Sequence, residues 1–106
     1  MAFELSVHAE RRCEERRVPA EVLEKINDRA FMAQAREADG RLSTYHIVRV
    51  KKNRYWVAIE REGVIITVIP VGFGSSARSW FRRRLLNYRH LAQPLKMMPV
   101  TQVSAS

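Results

Sequence analysis

The sequence holds little cysteine, glycine or proline, and each shortage excludes a class of protein. Cys13 is the only cysteine among 106 residues, so the chain forms no internal disulfide. No group of Cys and His residues has the spacing of a zinc site, and we expect no metal. Four glycines and four prolines are too few for a fibrous or low-complexity protein, whereas 46% hydrophobic residues suffice for a packed core.

Long hydrophobic runs are also missing. No apolar stretch approaches the roughly 20 residues of a membrane-spanning helix, and the N-terminus lacks the apolar segment of a secretory signal. We therefore expect a cytoplasmic protein without a membrane span. A chain of this length builds one hydrophobic core. We expect a single domain over residues 1–93 and a flexible tail over residues 94–106.

Acidic residues are absent from the C-terminal part of the chain. All 11 Asp and Glu lie between Glu4 and Glu62, alongside 13 Lys and Arg, whereas residues 63–106 carry six Lys and Arg and no acid. The net charge of +8 therefore divides into +2 for residues 1–62 and +6 for the remainder. Such asymmetry is typical of proteins that bind a polyanion such as RNA. A solubility feature or a site for an acidic protein partner is the alternative interpretation.

The pattern of hydrophobic residues predicts an α+β fold with an N-terminal helix pair, a four-stranded antiparallel sheet and a C-terminal basic amphipathic helix. Helical periodicity covers residues 5–17 and 19–29, with a break at Val18-Pro19. Short β-type runs follow at residues 32–36, 42–50, 55–61 and 64–69, separated by turn residues that favour hairpins. Pro70 is expected to end the last strand, and a helix is expected from Ser76 to about residue 91. We expect all helices on one side of the sheet.

Three residues suited to phosphate chemistry recur at four-residue steps in the first predicted helix: His8, Arg12 and Arg16. This spacing places them on one face over about 12 Å of helix. A His transfers protons near neutral pH and Arg holds phosphate oxygens through paired hydrogen bonds, so the row is typical of phosphodiester chemistry. The alternative is structural, with Arg12 and Arg16 in ion pairs with Glu15, Glu4 or strand carboxylates.

The sequence around this row resembles the opening of small bacterial domains in the domain-of-unknown-function family 4258. The family pattern is a strand-like lead, then His-Ala-x-x-Arg-x-x-x-Arg-Gly-Ile/Val, a second short helix and three or four strands. Arg17 stands where the family usually has Gly, and residues 64–69 resemble the family's closing strand. The resemblance covers about residues 4–70 and rests on His8, Ala9, Arg12, Arg16, Val18, Leu23 and Ile26.

That family is grouped with the barnase, EndoU, colicin and RelE-like ribonucleases, which are compact α+β proteins that include many toxins. The resemblance implies metal-free cleavage of RNA, in which a general base activates the ribose 2′-OH against the adjacent phosphate while a cation stabilises the developing charge. It implies His8 as the acid or base, and Arg12 and Arg16 as ligands of the phosphate.

A second titratable group would complete such a site, and Tyr45 and His46 are candidates on the second predicted strand. Adjacent strand residues point to opposite faces. Because neither face of this strand is cleanly polar, the pattern does not choose between them. Thr67 is a third candidate, at an otherwise apolar position of the last strand. Its hydroxyl either binds a phosphate or takes part in a cross-strand pair.

A glycine-containing segment, Gly72-Phe73-Gly74-Ser75-Ser76, precedes the last predicted helix. Glycines permit close approach of the backbone, and free N–H groups at a helix start favour an anion. The segment nevertheless lacks the Lys-Ser/Thr of a P-loop and the third glycine of a dinucleotide fingerprint. We therefore expect no nucleotide cofactor and favour a plain linker at this position.

The last predicted helix combines arginines with aromatic residues, which we expect to dock on the sheet and leave the arginines outside. Such a surface holds phosphates and stacks bases of single-stranded RNA. An anionic membrane surface, or an acidic antitoxin or immunity protein, is the alternative partner. The residues assigned to nucleic-acid binding are Arg78, Arg82, Arg83, Arg84 and Arg89, with Lys51 and Lys52 from a predicted turn.

These features together predict a small basic endoribonuclease of toxin type that acts on RNA without metal or cofactor. A non-catalytic nucleic-acid-binding or regulatory domain with the same basic surface is the second hypothesis. A partner-binding accessory protein is the third.

Overall fold

The computed structural model describes residues 3–28 and 30–104 and has an α+β fold with four helices and a five-stranded mixed sheet. The predicted α+β class is therefore confirmed, while the numbers of helices and strands differ from the prediction. No helix within the described ranges has the length and apolar character needed to cross a membrane. The elements are β1 (Glu4–Leu5), α1 (Val7–Glu15), α2 (Ala20–Asp28), β2 (Phe31–Arg36), β3 (Leu42–Lys51), β4 (Arg54–Arg61), β5 (Val64–Val71), α3 (Ala77–Arg84) and α4 (Tyr88–Met97).

The sheet has the strand order β1-β5-β4-β3-β2. Strands β2 to β5 form the predicted antiparallel meander, whereas β1 pairs in parallel with β5. The expectation of four antiparallel strands is wrong in this respect. Ser6 caps α1, because its hydroxyl accepts a hydrogen bond from the Ala9 N–H at 3.0 Å. The two residues before the cap are thereby left extended and pair with the edge of β5.

The helices lie on both faces of the sheet, so the expectation of helices on one side is wrong. Strands β3 and β4 are buried on both faces over most of their length, which requires a helical layer on each. Helices α1 and α2 cover a core that includes Val48, Trp56 and Val68. Helices α3 and α4 cover a separate core that includes Tyr45 and Phe81. We call these the α1–α2 face and the α3–α4 face.

Strand β5 continues through Pro70 to Val71, so the predicted end at Pro70 is wrong. β1 pairs only with the first two residues of β5 and leaves the rest of that side without a strand. The Val68 carbonyl opens to this side, where it accepts a hydrogen bond from the Arg16 guanidinium at 2.7 Å. Pro70 is two residues further along and directs its nitrogen to the same side. Its missing N–H therefore costs the sheet no ladder hydrogen bond.

The single C-terminal helix predicted from residue 76 to 91 is interrupted at residues 85–87. Leu85 forms a β-bridge with Ala35, and the Leu86 N–H donates to the Gln34 carbonyl at 2.9 Å. This segment thus covers the free edge of β2, which removes a row of unpaired backbone groups. Asn87 has a φ of 59° and lets α4 begin in a new direction.

The segment predicted to be a tail begins inside α4, because Pro94 lies within that helix. Beyond α4, the Thr101 N–H donates to the Arg49 carbonyl of β3 at 2.7 Å. Ser104 donates from its N–H and its hydroxyl to the Glu21 carboxylate of α2, at 2.7 and 2.6 Å. Residues 98–104 are therefore attached to the domain, and the predicted boundary at residue 93 falls inside a helix. Residues 105 and 106, and residue 29 at the predicted end of the second helix, lie outside the described residues.

Candidate nucleic-acid interface

The row of His8, Arg12 and Arg16 lies on α1 as predicted, but its three members have different surroundings. His8 is exposed, and the Arg12 Nε–H donates to its Nε2 at 3.4 Å. Arg12 also forms an ion pair with Glu15, at 3.0 Å between Nη1 and Oε2. Arg16 instead bonds the Val68 carbonyl and ties the end of α1 to β5. The row is therefore partly structural, and His8 with Arg12 is its solvent-facing part.

Tyr45 and Thr67 belong to the opposite side of the sheet from α1. Tyr45 is buried in the α3–α4 core, where its hydroxyl donates to the Glu37 carboxylate at 3.1 Å. Burial and the neighbouring Glu37 raise the pKa of the Tyr45 phenol far above its ordinary value. Thr67 pairs across the sheet with Ile59, which lies in the same α3–α4 core. The structure thus does not bring either hydroxyl to the row on α1.

His46 lies on the α1–α2 face but is only 1% exposed. Its Nε2 is 3.1 Å from the Glu60 Oε1, and its ring lies 4.6 Å from the Phe3 ring. Of the two adjacent residues, His46 therefore lies on the face of the sheet that α1 covers, and Tyr45 lies on the opposite face. His46 nevertheless occupies a closed, hydrogen-bonded position rather than the wall of an open cleft.

An open groove does lie at the C-terminal end of α1, with a volume of about 400 Å³. Arg16, Arg17, Lys51 and Arg54 contribute four positive charges to it, and no carboxylate within residues 3–28 and 30–104 lines it. We call it the basic–aromatic groove. It is completed by Pro19, Val50, Trp56, Phe73, Val103 and Ser104.

Arg17 reaches the groove from the turn that ends α1. The Arg17 N–H donates to the Glu14 carbonyl at 3.2 Å and the Val18 N–H donates to the Cys13 carbonyl at 3.0 Å. This pair of bonds is the Schellman arrangement, whose first residue after the cap adopts the left-handed conformation. Arg17 has a φ of 52° at this position, which glycine usually occupies in such a turn. The chain thus places a charged side chain where glycine is favoured.

Two aromatic rings form the apolar wall of the groove. Trp56 is almost completely buried on β4, and the ring of Phe73 lies 5.5 Å from it. Phe73 is 45% exposed, and the Arg54 guanidinium lies 5.3 Å from the centre of its ring. A buried tryptophan thus packs against a half-exposed ring that has a cation over it. Exposed rings and cations in one groove are the groups that stack nucleobases and hold phosphates in single-strand-binding proteins.

Gly72 holds the loop that carries Phe73 in place. Its φ is +88°, and a Cβ atom at this position would collide with the carbonyl oxygen of Asn53 in the β3–β4 turn. The β5–α3 loop therefore lies directly against that turn, which brings Phe73 beside Arg54. The predicted plain linker accordingly has a positioning role, and the predicted helix cap is present, since the Ser76 hydroxyl accepts from the Ser79 N–H at 3.3 Å.

The arginines predicted on the last helix divide into two groups. Arg78, Arg82 and Arg89 line an open cleft of about 530 Å³ between α3 and α4, together with Tyr88, Ala92 and Lys96. We call this the α3–α4 cleft. Arg84 instead stacks on the Trp80 ring at 4.6 Å, and Arg83 is exposed outside both hollows.

The two predicted turn lysines also differ. Lys51 lines the basic–aromatic groove. Lys52 is exposed, and its carbonyl accepts two hydrogen bonds from the Arg49 guanidinium, at 3.1 and 2.9 Å. Lys52 therefore helps to order the β3–β4 turn through its backbone.

Sequence reasoning missed Arg17, Arg54, Trp56 and Phe73 as site residues. Their grouping depends on the contact between Gly72 and Asn53, and on the pairing of Trp56 with Pro70, which join segments distant in sequence. One local signal was available, because Arg54 lies two residues after Lys52 and directly precedes two aromatic residues. Within the described part of the chain, no cluster of three or more His, Cys, Asp and Glu side chains is arranged to hold a metal ion. Comparison of the chain with protein-family models, with curated proteins and with solved structures gave no match.

Proposed function

We propose that this protein binds single-stranded RNA through the basic–aromatic groove. The observation that carries the proposal is the exposed ring of Phe73 beside Arg54, in a groove lined by three further cations. Cations attract phosphates, and an aromatic face stacks any base, so this combination binds single strands with little dependence on sequence. A groove of about 400 Å³ is in the size range of small-ligand sites, which suits one or two nucleotides rather than a duplex. The family resemblance supports RNA as the polymer.

The test is the affinity of purified protein for a short fluorescent RNA, measured by anisotropy at several salt concentrations. Phe73→Ala is expected to weaken binding by about 5- to 150-fold, the equivalent of a stacking contribution of about 1–3 kcal/mol. Arg54→Ala is expected to weaken binding and to reduce the salt slope by about 0.7, the value for one phosphate contact of a single strand.

Arg41→Ala is the matched control for charge, since Arg41 is exposed in the β2–β3 turn and lines neither hollow. It removes one positive charge from the molecule and is expected to leave affinity nearly unchanged. Absence of RNA binding at low salt, or an equal loss in Arg41→Ala and Arg54→Ala, would overturn the proposal. Single-stranded DNA of the same sequence measures how far binding depends on the ribose.

Ribonuclease activity is the second candidate function, and the contact of His8 with Arg12 favours it. An exposed imidazole 3.4 Å from a guanidinium places a proton-transfer group beside a phosphate ligand. His46 and Tyr45 are both buried and each has a carboxylate partner. This second proposal therefore draws no support from an additional acid or base at either position. The test is cleavage of RNA by purified protein in excess EDTA, with His8→Ala and Arg12→Ala. Cleavage that both substitutions leave unchanged would remove this site.

A further inference from the structure

The α3–α4 cleft is a second basic hollow that the basic–aromatic groove does not include. Four cations line it, two from α3 and two from α4, and none of its described lining residues is acidic. Arg78, Arg82, Arg89 and Lys96 are all exposed. They come from residues 63–106, which contain no Asp or Glu. The cleft therefore presents a strong positive potential to a polyanion.

The cleft and the groove lie near the same end of the sheet, at the β3–β4 turn. Arg78 and Lys96 also line a small cavity of about 80 Å³ whose wall includes Asn53 of the β3–β4 turn. The next residue, Arg54, lines the basic–aromatic groove on the other side of that turn. Gly72 packs against the Asn53 carbonyl and joins β5 to α3 at the same place. Both hollows therefore lie near the β3–β4 turn, which contains Lys52 and follows Lys51, the last residue of β3.

The side chains of the two hollows differ in chemistry. The groove offers the exposed ring of Phe73 for stacking, whereas the ring in the cleft, Tyr88, is partly buried against the α3–α4 core. The cleft therefore suits phosphates rather than bases. Its remaining lining residue, Ala92, provides too little apolar surface for the insertion that holds a basic helix on a membrane.

We propose that one RNA strand spans both hollows. A base stacks on Phe73 in the groove, the strand then crosses the β3–β4 turn, and Arg78 and Arg89 hold the following phosphates in the α3–α4 cleft. This inference rests on the proposed function and extends it, because it defines the path of the strand and predicts that affinity grows with RNA length. The lysines of the turn lie on that path.

The test compares RNA of about 4 and about 12 nucleotides, which cover the range of site sizes of single-strand-binding domains. Wild-type protein is expected to bind the longer RNA at least about 100-fold more tightly, well above the gain of about ninefold that comes from the nine registers of a 4-nucleotide site on a 12-nucleotide strand. The double variant Arg78→Ala/Arg89→Ala is expected to keep only the statistical gain while its affinity for the short RNA stays the same. Its salt slope on the long RNA is expected to fall by about 1.4, the equivalent of two phosphate contacts.

Three outcomes are distinguishable. If wild-type protein does not bind the short RNA, the proposed function fails. If it binds the short RNA but the double variant keeps the full gain with length, only the continuous path is overturned. If the double variant loses binding to anionic vesicles or to an acidic protein while its binding of long RNA is unchanged, the cleft serves that partner and the inference is wrong. Arg41→Ala/Arg83→Ala controls for the loss of two positive charges, since both residues are exposed and line neither hollow. Thermal unfolding by circular dichroism confirms that each variant is folded.

Discussion

The exposed ring of Phe73 lies 5.5 Å from the nearly buried ring of Trp56, with an angle of 56° between the two planes. The two rings come from different segments, a loop and a strand, and the Arg54 guanidinium lies over the Phe73 ring, 5.3 Å from its centre. A ring with a rigid neighbour on one side has little freedom to turn. It therefore offers a fixed surface for a base at a small cost in side-chain entropy.

This arrangement predicts that the aromatic character of residue 73 matters more than its size. Phe73→Leu is expected to weaken RNA binding by at least fivefold, because it removes a stacking contribution of about 1–3 kcal/mol and keeps most of the apolar surface. Phe73→Tyr is expected to keep the affinity. The fluorescence of Trp56 measures the binding in a Trp80→Phe background, since these are the two tryptophans of the chain. Equal affinities of the Leu and Tyr variants would contradict stacking.

Gly72 and Gly74 give a matched pair for the role of the β5–α3 loop. Gly72→Ala places a Cβ atom against the Asn53 carbonyl in a backbone conformation that L-residues rarely adopt, whereas a Cβ atom at Gly74 meets nothing within 4 Å. We expect Gly72→Ala to lower the free energy of unfolding by about 1–3 kcal/mol and Gly74→Ala to change it by less than about 0.5 kcal/mol. Urea denaturation measures both. Similar values for the two variants would show that the loop does not depend on close packing at Gly72.

The hydrogen bond between His46 and Glu60 predicts that His46, a catalytic candidate in the sequence analysis, has a structural role. Glu60→Ala leaves the buried His46 imidazole without its carboxylate partner, and we expect the free energy of unfolding to fall by about 1–3 kcal/mol. Glu60→Gln, which retains polar atoms at the same place, is expected to lose less. RNA binding by both folded variants should equal that of wild type. A loss of RNA binding or cleavage without a loss of stability would indicate that His46 has a functional role and would contradict this prediction.

The periodicity of the sequence was sufficient to predict strands β2 to β5 and the two N-terminal helices, because burial repeats every two residues in a strand and about every 3.6 in a helix. It did not predict β1, since a strand of two residues has no periodicity and forms only because Glu4 lies beside Val64. It also did not predict helices on both faces. The sequence of β3 has no clearly polar face, which indicates that both faces of the strand are covered. This pattern alone does not show which helices cover each face.

The site was less predictable than the fold for a related reason. Residues four apart on one helix, such as His8 and Arg12, are brought together by local geometry and do contact each other. The groove instead joins Arg17, Arg54 and Phe73, and their proximity depends on the packing of a loop against a turn. Spacing along the chain carries no information on such contacts.

The buried phenol of Tyr45 predicts a loss of stability in alkali. Burial and the Glu37 carboxylate raise its pKa above the ordinary value of 10.0, so the folded protein keeps the proton to a higher pH than the unfolded chain does. Its contribution to stability is fully present below pH 10 and is lost as the pH rises from 10 through the raised pKa, by up to about 1.4 kcal/mol per pH unit. Tyr45→Phe removes this dependence, although Tyr55, whose pKa is also raised by burial, retains its own. Urea denaturation between pH 7 and 11 is expected to show the difference between wild type and Tyr45→Phe shrinking above pH 10, and a constant difference would contradict the assignment.

At residue 17 we expect opposite requirements for folding stability and for RNA binding. An L-residue in the left-handed region costs about 1–2 kcal/mol relative to the right-handed one, and glycine avoids this cost but loses more entropy on folding. Arg17→Gly is therefore expected to raise the free energy of unfolding by up to about 1 kcal/mol, because residue 17 has a φ of 52° in a turn that favours glycine. The same substitution removes one of the four cations of the groove, so RNA affinity and the salt slope should fall, the slope by about 0.7. Arg17→Lys keeps the charge and the strain and should change neither property greatly. A glycine variant that is more stable and still binds RNA as wild type does would show that Arg17 has no part in the interface.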